Sequence, residues 1–327
     1  MKISYNTIPG NFDIATGYGY AGFNMVLALQ RLGHEVPYAD PNAPVEIYFA
    51  PPNFWDWSST TAHRIGYVPW ESTGMPYSWI DHMNKSCDEV WTPSPLVAQW
   101  YQDAGCDKEV FVYEHGVPDR WKAKRRINRQ GVLRFLHIGE PAPRKGGQMT
   151  LDAFRMAFGD RTDVHLTIKA HGNSTVKGPN NAHPDKAYNN VSVITSELET
   201  HELIDLYHRH HVMLYPSFGE GFGFIPLQAL ATGMPTICTE AWAPYKRFIL
   251  PELRLRSHLA ESPWPDMHPG KLFHPDFKHL VDLFTYSADN FNNLSARSFA
   301  QASQVHHDYN WDRVTQKAFA HIADKFA

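Results

Sequence analysis

Tyr215-Pro216-Ser217-Phe218-Gly219-Glu220-Gly221-Phe222-Gly223-Phe224-Ile225-Pro226-Leu227-Gln228-Ala229-Leu230-Ala231-Thr232-Gly233-Met234-Pro235 reads as the end of a strand, a glycine-rich turn, a short helix, a glycine stop and the start of another strand. Pro226 costs little in the first turn of that helix, because first-turn amides have no helical acceptor. Gly221 and Gly223, on either side of Phe222, let backbone approach a ligand closely and aim amides at it from a helix N-terminus, which suits phosphate or sugar oxygens. Glu220 stands at the mouth of the turn and Gln228 eight residues on. Both side chains can then face one crevice at the carboxyl end of a sheet.

Upstream, Ile138-Gly139-Glu140-Pro141-Ala142-Pro143-Arg144-Lys145-Gly146-Gly147 lies between a strand at 132–138 and a helix at 149–158. Two adjacent cations flanked by glycines at a helix N-terminus form a diphosphate clamp. The same half of the chain reads as strands at 164–170, 191–194, 212–215 and 235–238 with helices at 200–210 and 226–232. Thr195, just after one of these strands, joins the candidates for nucleotide contact. Residues 172–190 read as a long polar loop, of the kind that is often functional.

The N-terminal half repeats the alternation, with strands at 1–5, 35–39, 45–50, 64–68, 89–92 and 110–113 and helices at 20–32, 77–85 and 95–104. Met25, Ala28, Leu29 and Leu32 make one apolar helix face, closed by Gly33. Alternating strands and helices predict parallel sheets covered on both faces. The rhythm breaks at 115–131, where the run from Arg120 to Arg129 carries six cations and reads as a solvated linker. The expected organisation is an N-terminal domain over 1–118, a linker over 119–130 and a C-terminal domain over 131–307. Residues 308–327 form a last amphipathic helix, through Val314, Phe319, Ile322 and Phe326.

At 327 residues the chain has room for two such domains. A net charge of −4 gives no global attraction to nucleic acid or to an anionic membrane. The three cysteines, Cys87, Cys106 and Cys238, are an odd and scattered set, which favours free thiols in a reducing compartment. Residues 1–5 read as a strand rather than a signal peptide, and no apolar run reaches the roughly 20 residues that cross a bilayer. The expectation is a cytoplasmic protein without stable membrane association. Aromatic clusters such as Asn53-Phe54-Trp55-Asp56-Trp57 and Tyr67-Val68-Pro69-Trp70-Glu71 read first as core, and second as rings lining a cleft.

These motifs together resemble the family 4 glycosyltransferases of the GT-B fold, along nearly the whole chain. The likeness runs through the glycine-rich first loop and Leu32-Gly33-His34-Glu35-Val36, Ile65-Gly66-Tyr67 to Trp70-Glu71, Asp88-Glu89-Val90-Trp91-Thr92-Pro93-Ser94, His115-Gly116-Val117, Arg144-Lys145-Gly146 and the stretch from Glu220 to Gln228. The resemblance implies an α/β chain of two Rossmann-like domains facing across a cleft, with the C-terminal helix over 308–327 crossing back to the N-terminal domain. It also implies a retaining hexosyl- or pentosyltransferase that needs no metal or resident cofactor and takes a nucleoside-diphosphate sugar, a UDP-sugar first, as co-substrate. In such enzymes the basic pair grips the diphosphate, the first glutamate meets the donor sugar, and a second glutamate eight residues on binds the ribose. Here that second position is Gln228, which keeps one acceptor oxygen and no charge, and Glu140 stands where an arginine is common.

On this reading Glu220, Arg144 and Lys145 act on the reacting part of the donor, and Glu71 and His115 contact an acceptor held by the N-terminal domain. Gly17, Gly19, Thr195, Gly221, Phe222, Gly223 and Gln228 complete the donor contacts, with Gly17 and Gly19 leaning over the phosphates. The acceptor is a small molecule, a glycan or DNA; the basic run makes DNA with hydroxymethylated bases an alternative substrate. A sugar-nucleotide-binding protein without catalysis is a third reading. Gly17-Tyr18-Gly19-Tyr20-Ala21-Gly22 also matches a dinucleotide fingerprint, but residues 6–16 separate it from the strand it should follow at once, which argues against an NAD-dependent oxidoreductase.

Overall fold

The computed structural model describes residues 1–7, 16–128, 131–140, 142–170, 176–178 and 181–326. The chain divides into two compact units, one of 1–118 with 261–272 and 307–327, the other of 119–260 with 273–306. Residues 119–130, expected as a free linker, count with the second unit, and 261–272 return to the first.

In the first unit, β1 (Ile3–Thr7), β2 (Val45–Phe49), β3 (His63–Tyr67), β4 (Glu89–Thr92) and β5 (Glu109–Val112) form a sheet in that order. Every pair is parallel. Helices α1 (Gly17–Arg31), α2 (Tyr77–Ser86) and α3 (Pro95–Asp103) make connections between strands. Every residue of β1, β2 and β4 is buried, as expected for strands covered on both faces. Even Glu46 on β2 is buried, where its carboxylate accepts from the Ser58 and Ser59 amides at 2.7 and 3.1 Å, the Ser58 hydroxyl at 2.6 Å and the Asn6 side chain. Such hydrogen bonds offset the cost of burying a charge.

Two local expectations are corrected here. Gly17 and Gly19 belong to the first turn of α1, capped by the Thr16 hydroxyl, which accepts from Gly19 N at 3.0 Å; they are helical rather than part of a free loop. Residues 35–39 are not a strand. The Ile3 and Tyr5 amides donate to the Glu35 and Pro37 carbonyls, but Pro37 has no N–H to return, so the ladder does not extend.

The second unit is built on β6 (Leu133–Ile138), β7 (Val164–Lys169), β8 (Val191–Ile194), β9 (Val212–Tyr215), β10 (Thr236–Thr239) and β11 (Arg254–Leu255). Their order is β11-β10-β9-β6-β7-β8, again all parallel. The chain lays β7 and β8 to one side of β6, then returns to place β9, β10 and β11 on the other. Helices α4 (Gly147–Phe158), α5 (Pro184–Ala187), α6 (Thr200–Arg209), α7 (Phe224–Ala231), α8 (Phe277–Asp289) and α9 (Phe291–Asp308) accompany the sheet, and β12 (Ser257–Glu261) pairs with β13 (Lys271–Pro275). The short α5 interrupts the span expected to be loop. Phe135 on β6, Phe154 and Phe158 on α4 and Phe284 on α8 form one ring cluster with centroids 5.0 to 6.1 Å apart.

The basic run is not a solvated linker throughout. Trp121 is buried edge-on against Tyr207, and Arg126 is 5% exposed. The five guanidinium N–H groups of Arg126 reach the carbonyls of His210, Lys124, Thr232 and Tyr207 and the Thr232 hydroxyl, at 2.7 to 3.1 Å. Three of these carbonyls lie at the C-terminal ends of α6 and α7, where helical carbonyls lack partners and a cation is favoured. Burial lowers the Arg126 pKa to about 9. Arg120, Lys122, Lys124 and Arg125 are exposed. His210 and His211, just past the end of α6, are buried, and burial first, then neighbouring charges, lowers each to about 4.

The last helix, α10 (Trp311–Lys325), counts with the first unit. Phe319 packs edge-on against Trp91 at 5.0 Å, Thr315 bonds the Tyr113 hydroxyl at 2.7 Å, and His321 lies 3.3 Å from both Glu89 oxygens.

Replacing Arg126 with methionine should remove all five bonds and leave buried carbonyls unpaired, costing about 3 kcal/mol or more, whereas Arg125→Met should stay within about 0.5 kcal/mol. Denaturant melts of the two variants check this; equal losses would show that Arg126 is not a brace.

Candidate functional site

The reversal of strand order in the second unit falls between β6 and β9. In open parallel sheets the chain leaves two such strands in opposite directions, which opens a crevice beyond their carboxyl ends. β6 ends at Ile138 and β9 at Tyr215, so the Arg144-Lys145 loop and the Glu220 turn issue from adjacent strands.

Each loop is shaped by a glycine at positive φ. After β6, Pro143–Lys145 forms a 3-10 turn that ends at Gly146, with φ of +75° and its Cα packed against Pro216. A side chain there would meet both strain and the Pro216 backbone. After β9, Gly223 has φ of +83°, and a Cβ would stand 2.7 Å from both the Trp242 ring and the Tyr245 hydroxyl. Gly146 caps α4, and among the described residues no side chain accepts from its first-turn amides.

Between the loops lies a buried ion cluster. Glu220, 7% exposed, accepts from Lys145 Nζ at 2.9 and 2.8 Å, one bond to each oxygen. Its Oε1 also accepts from the Ser217 hydroxyl at 2.6 Å and the Tyr215 hydroxyl at 3.0 Å, and Arg144 lies 3.2 Å away. Burial pushes the carboxyl up, but Lys145 and Arg144, with the hydrogen bonds from Lys145 and Ser217, outweigh it and hold the pKa at about 2. Two cations face one carboxylate, so the cluster carries one net positive charge.

The two cations of the motif differ in their situation. Arg144 is buried, its guanidinium bonded to the Gly219 carbonyl, while its own carbonyl accepts from the Phe218 amide at 2.9 Å. It braces the turn from below. Lys145 is less enclosed and holds the carboxylate directly. Gln228 is buried on α7, its Oε1 accepting from the Tyr207 hydroxyl at 3.1 Å. Gly221 and Phe222 are buried in the turn, while Thr195 and Glu140 are exposed.

The remaining sequence-predicted residues lie in the first unit. His115 is buried among the rings of Phe49, Tyr67 and Trp311. The Tyr67 hydroxyl donates to the Tyr113 carbonyl at 2.6 Å, so His115 Nδ1, 3.1 Å away, donates to Tyr67. Burial lowers its pKa to about 3, leaving a neutral ring. Glu71 lies 3.9 Å from His268 on the returning segment. Gly17 and Gly19 open α1 as described above.

Sequence reasoning missed Tyr215 and Ser217 as ligands of Glu220, though both stand inside the quoted stretch. Their spacing of five and three residues before Glu220 becomes a signal only once the turn folds back on the strand end. His137 was read as an ordinary strand residue; it lies buried beneath the Lys145 loop.

A family model described as Family 4 Glycosyltransferase in conflict systems matches residues 94–242. No curated protein matches the sequence. Sucrose-phosphate synthase from Thermosynechococcus elongatus is similar in structure at 13% identity, over 100% of this chain and 99% of that one, with a TM-score of 0.71. A glycosyltransferase from Rickettsia africae matches at 13% identity over 99% and 97%, with a TM-score of 0.69. Anabaena HepE, in complex with UDP and glucose, matches at 12% over 99% and 100%, with a TM-score of 0.63. The fold is GT-B, with two Rossmann-like domains, and the likeness to family 4 glycosyltransferases in sequence lies over residues 94–242.

The depressed pKa of Glu220 fixes a sign for acid stability. A carboxyl held at about 2 when folded and at about 4.3 when unfolded contributes its full share above the unfolded value, on the order of 3 kcal/mol, and loses it as pH falls toward 2. Glu220→Gln should therefore be less stable near neutrality and lose less between about pH 5 and pH 3 than the wild type. Urea titrations across that range test it; parallel pH profiles would contradict the ionised cluster.

Proposed function

We propose that this protein transfers a sugar from a nucleoside-diphosphate sugar, UDP-sugar first, to an acceptor with retention of configuration at the anomeric carbon. The observation that carries the proposal is the net-positive cluster of Arg144, Lys145 and Glu220 beside the uncapped α4 N-terminus, at the point where strand order reverses. The structural likeness to HepE, which binds UDP and glucose, supports the same donor class.

Departure of a diphosphate develops negative charge on its oxygens, and fixed donors aimed there stabilise the transition state more than the ground state. Lys145 Nζ and the first-turn amides of α4 supply such donors, and Arg144 holds the turn that carries Glu220. The Glu220 carboxyl is ionised at every physiological pH, so it accepts hydrogen bonds from donor-sugar hydroxyls and does not serve as a general acid. Gln228, steadied by Tyr207, stands eight residues further on to meet the nucleotide, and Thr195, Gly221, Phe222 and Gly223 line the same end of the sheet. We assign acceptor contacts to Glu71 and His115 of the first unit. The three cysteines are free, and no described helix is long and apolar enough to cross a membrane; a reducing, cytoplasmic setting fits the thiols.

UDP or another nucleoside diphosphate should raise the melting temperature, by the equivalent of about 2.7 kcal/mol at a hundredfold excess over Kd, and NADH should not. Lys145→Ala and Glu220→Ala should each lower transfer about a hundredfold or more while the fold persists. Stabilisation by NADH alone, or full activity without both side chains, would refute the assignment.

A further inference from the structure

His137 is the penultimate residue of β6 and pairs in register with Leu214 on β9, on the line where strand order reverses. Its ring is 2% exposed. Nδ1 lies 3.1 Å from the Leu214 carbonyl, which can only accept, so the proton is on Nδ1 and Nε2 carries a lone pair. Nε2 points toward the Lys145 loop. A Cβ on Gly139 would stand 3.2 Å from it and one on Gly147 3.4 Å, so two glycines leave this nitrogen uncovered. Among the described residues Nε2 has no hydrogen-bond partner. Gly147 opens α4, whose first-turn amides no side chain among the described residues caps. An uncapped helix N-terminus and a buried ring nitrogen thus converge on one spot.

The groups around the ring set its charge. Lys145 approaches from the 3-10 turn, with Glu220 beyond it on the turn after β9. The Tyr215 ring on β9 lies nearly parallel at 6.3 Å, and Thr150 of α4 stands 3.5 Å from Nδ1. Burial lowers the imidazole to about 4; the Leu214 bond opposes this and Lys145 adds to it. The ring is therefore neutral while the spot is empty. A phosphate oxygen set against the Nε2 lone pair would be repelled, yet the same anion would offset Lys145 and favour a proton on the ring.

We propose that His137 is a proton-linked phosphate contact: as a diphosphate settles at the α4 N-terminus, Nε2 takes one proton from solvent and donates a hydrogen bond to a phosphate oxygen. This rests on the donor-site reading above. The probe is UDP-glucose, whose doubly esterified diphosphate lacks the ionisation that phosphate monoesters show near pH 6 (about). Calorimetry near neutral pH in buffers of different ionisation enthalpy should show net proton uptake by the wild type, with affinity falling as pH rises. His137→Asn keeps a donor for the Leu214 carbonyl but cannot titrate; it should show no linked proton and bind roughly tenfold more weakly at about pH 6. His137→Gln sets an amide donor near the Nε2 position and should bind with little dependence on pH. Binding with the same proton uptake in the wild type and either folded variant overturns the role of His137, as does binding by the wild type without uptake. Failure of the wild type to bind UDP-glucose overturns the donor-site reading itself, and this contact with it.

Discussion

A carboxylate as buried as Glu220 stays ionised only if cations and hydrogen-bond donors replace its water; here the Tyr215 and Ser217 hydroxyls are close by in sequence, but both cations come from a loop about 75 residues earlier in the chain. That requirement organises the second unit. Arg144 and Lys145 must follow the strand adjacent to the one before Glu220, so β6 and β9 must be neighbours and strand order must reverse between them. Gly146 and Gly223 then take the positive φ values that let both loops close on the cluster. Removing one partner of such an ion group leaves an uncompensated buried charge, which costs more than the intact pairing contributes. The result is a turn held stiffly in place, with one positive charge in excess to meet an anion.

A second constraint acts at the opposite ends of the helices. Arg126 gathers the carbonyl termini of α6 and α7 with three of its five hydrogen bonds, and among the described residues no carboxylate pairs with it. Tyr207 of α6 gives its carbonyl to Arg126 and its hydroxyl to Gln228 of α7. The orientation of Gln228 is thereby tied to the clasp. A glutamate in its place would offer a second acceptor oxygen but would also bring a buried charge with a tyrosine hydroxyl as its one partner among the described residues.

Much of this was legible in the residues, and the exceptions have physical causes. The parallel strands announce themselves as short apolar runs, and the turn from Gly219 to Gly223 by glycines that little else can replace. The span from 240 to 310 gave no clear pattern. The buried face of α9 is Phe291, Leu294, Ser295, Ser298, Ala302 and Val305, at helical spacing but half made of small or polar residues, so its period is faint. Arg126 could not be distinguished in sequence from the exposed Arg125, because only the fold decides which of two adjacent cations meets helix ends. His210 and His211 follow the end of α6 yet are buried and lowered, since a helix terminus favours imidazolium only where water keeps it charged. The Arg144-Lys145 pair was read as one clamp, whereas the structure separates a buried brace from a half-buried hand.

The account stands or falls on where a donor binds. A crystal structure with UDP-glucose should place the diphosphate at the α4 N-terminus within hydrogen-bond reach of Lys145 Nζ, with the glucose hydroxyls against Glu220. A nucleotide seated elsewhere, with Lys145 still paired to Glu220 and the crevice beyond β6 and β9 filled only by water, would contradict it.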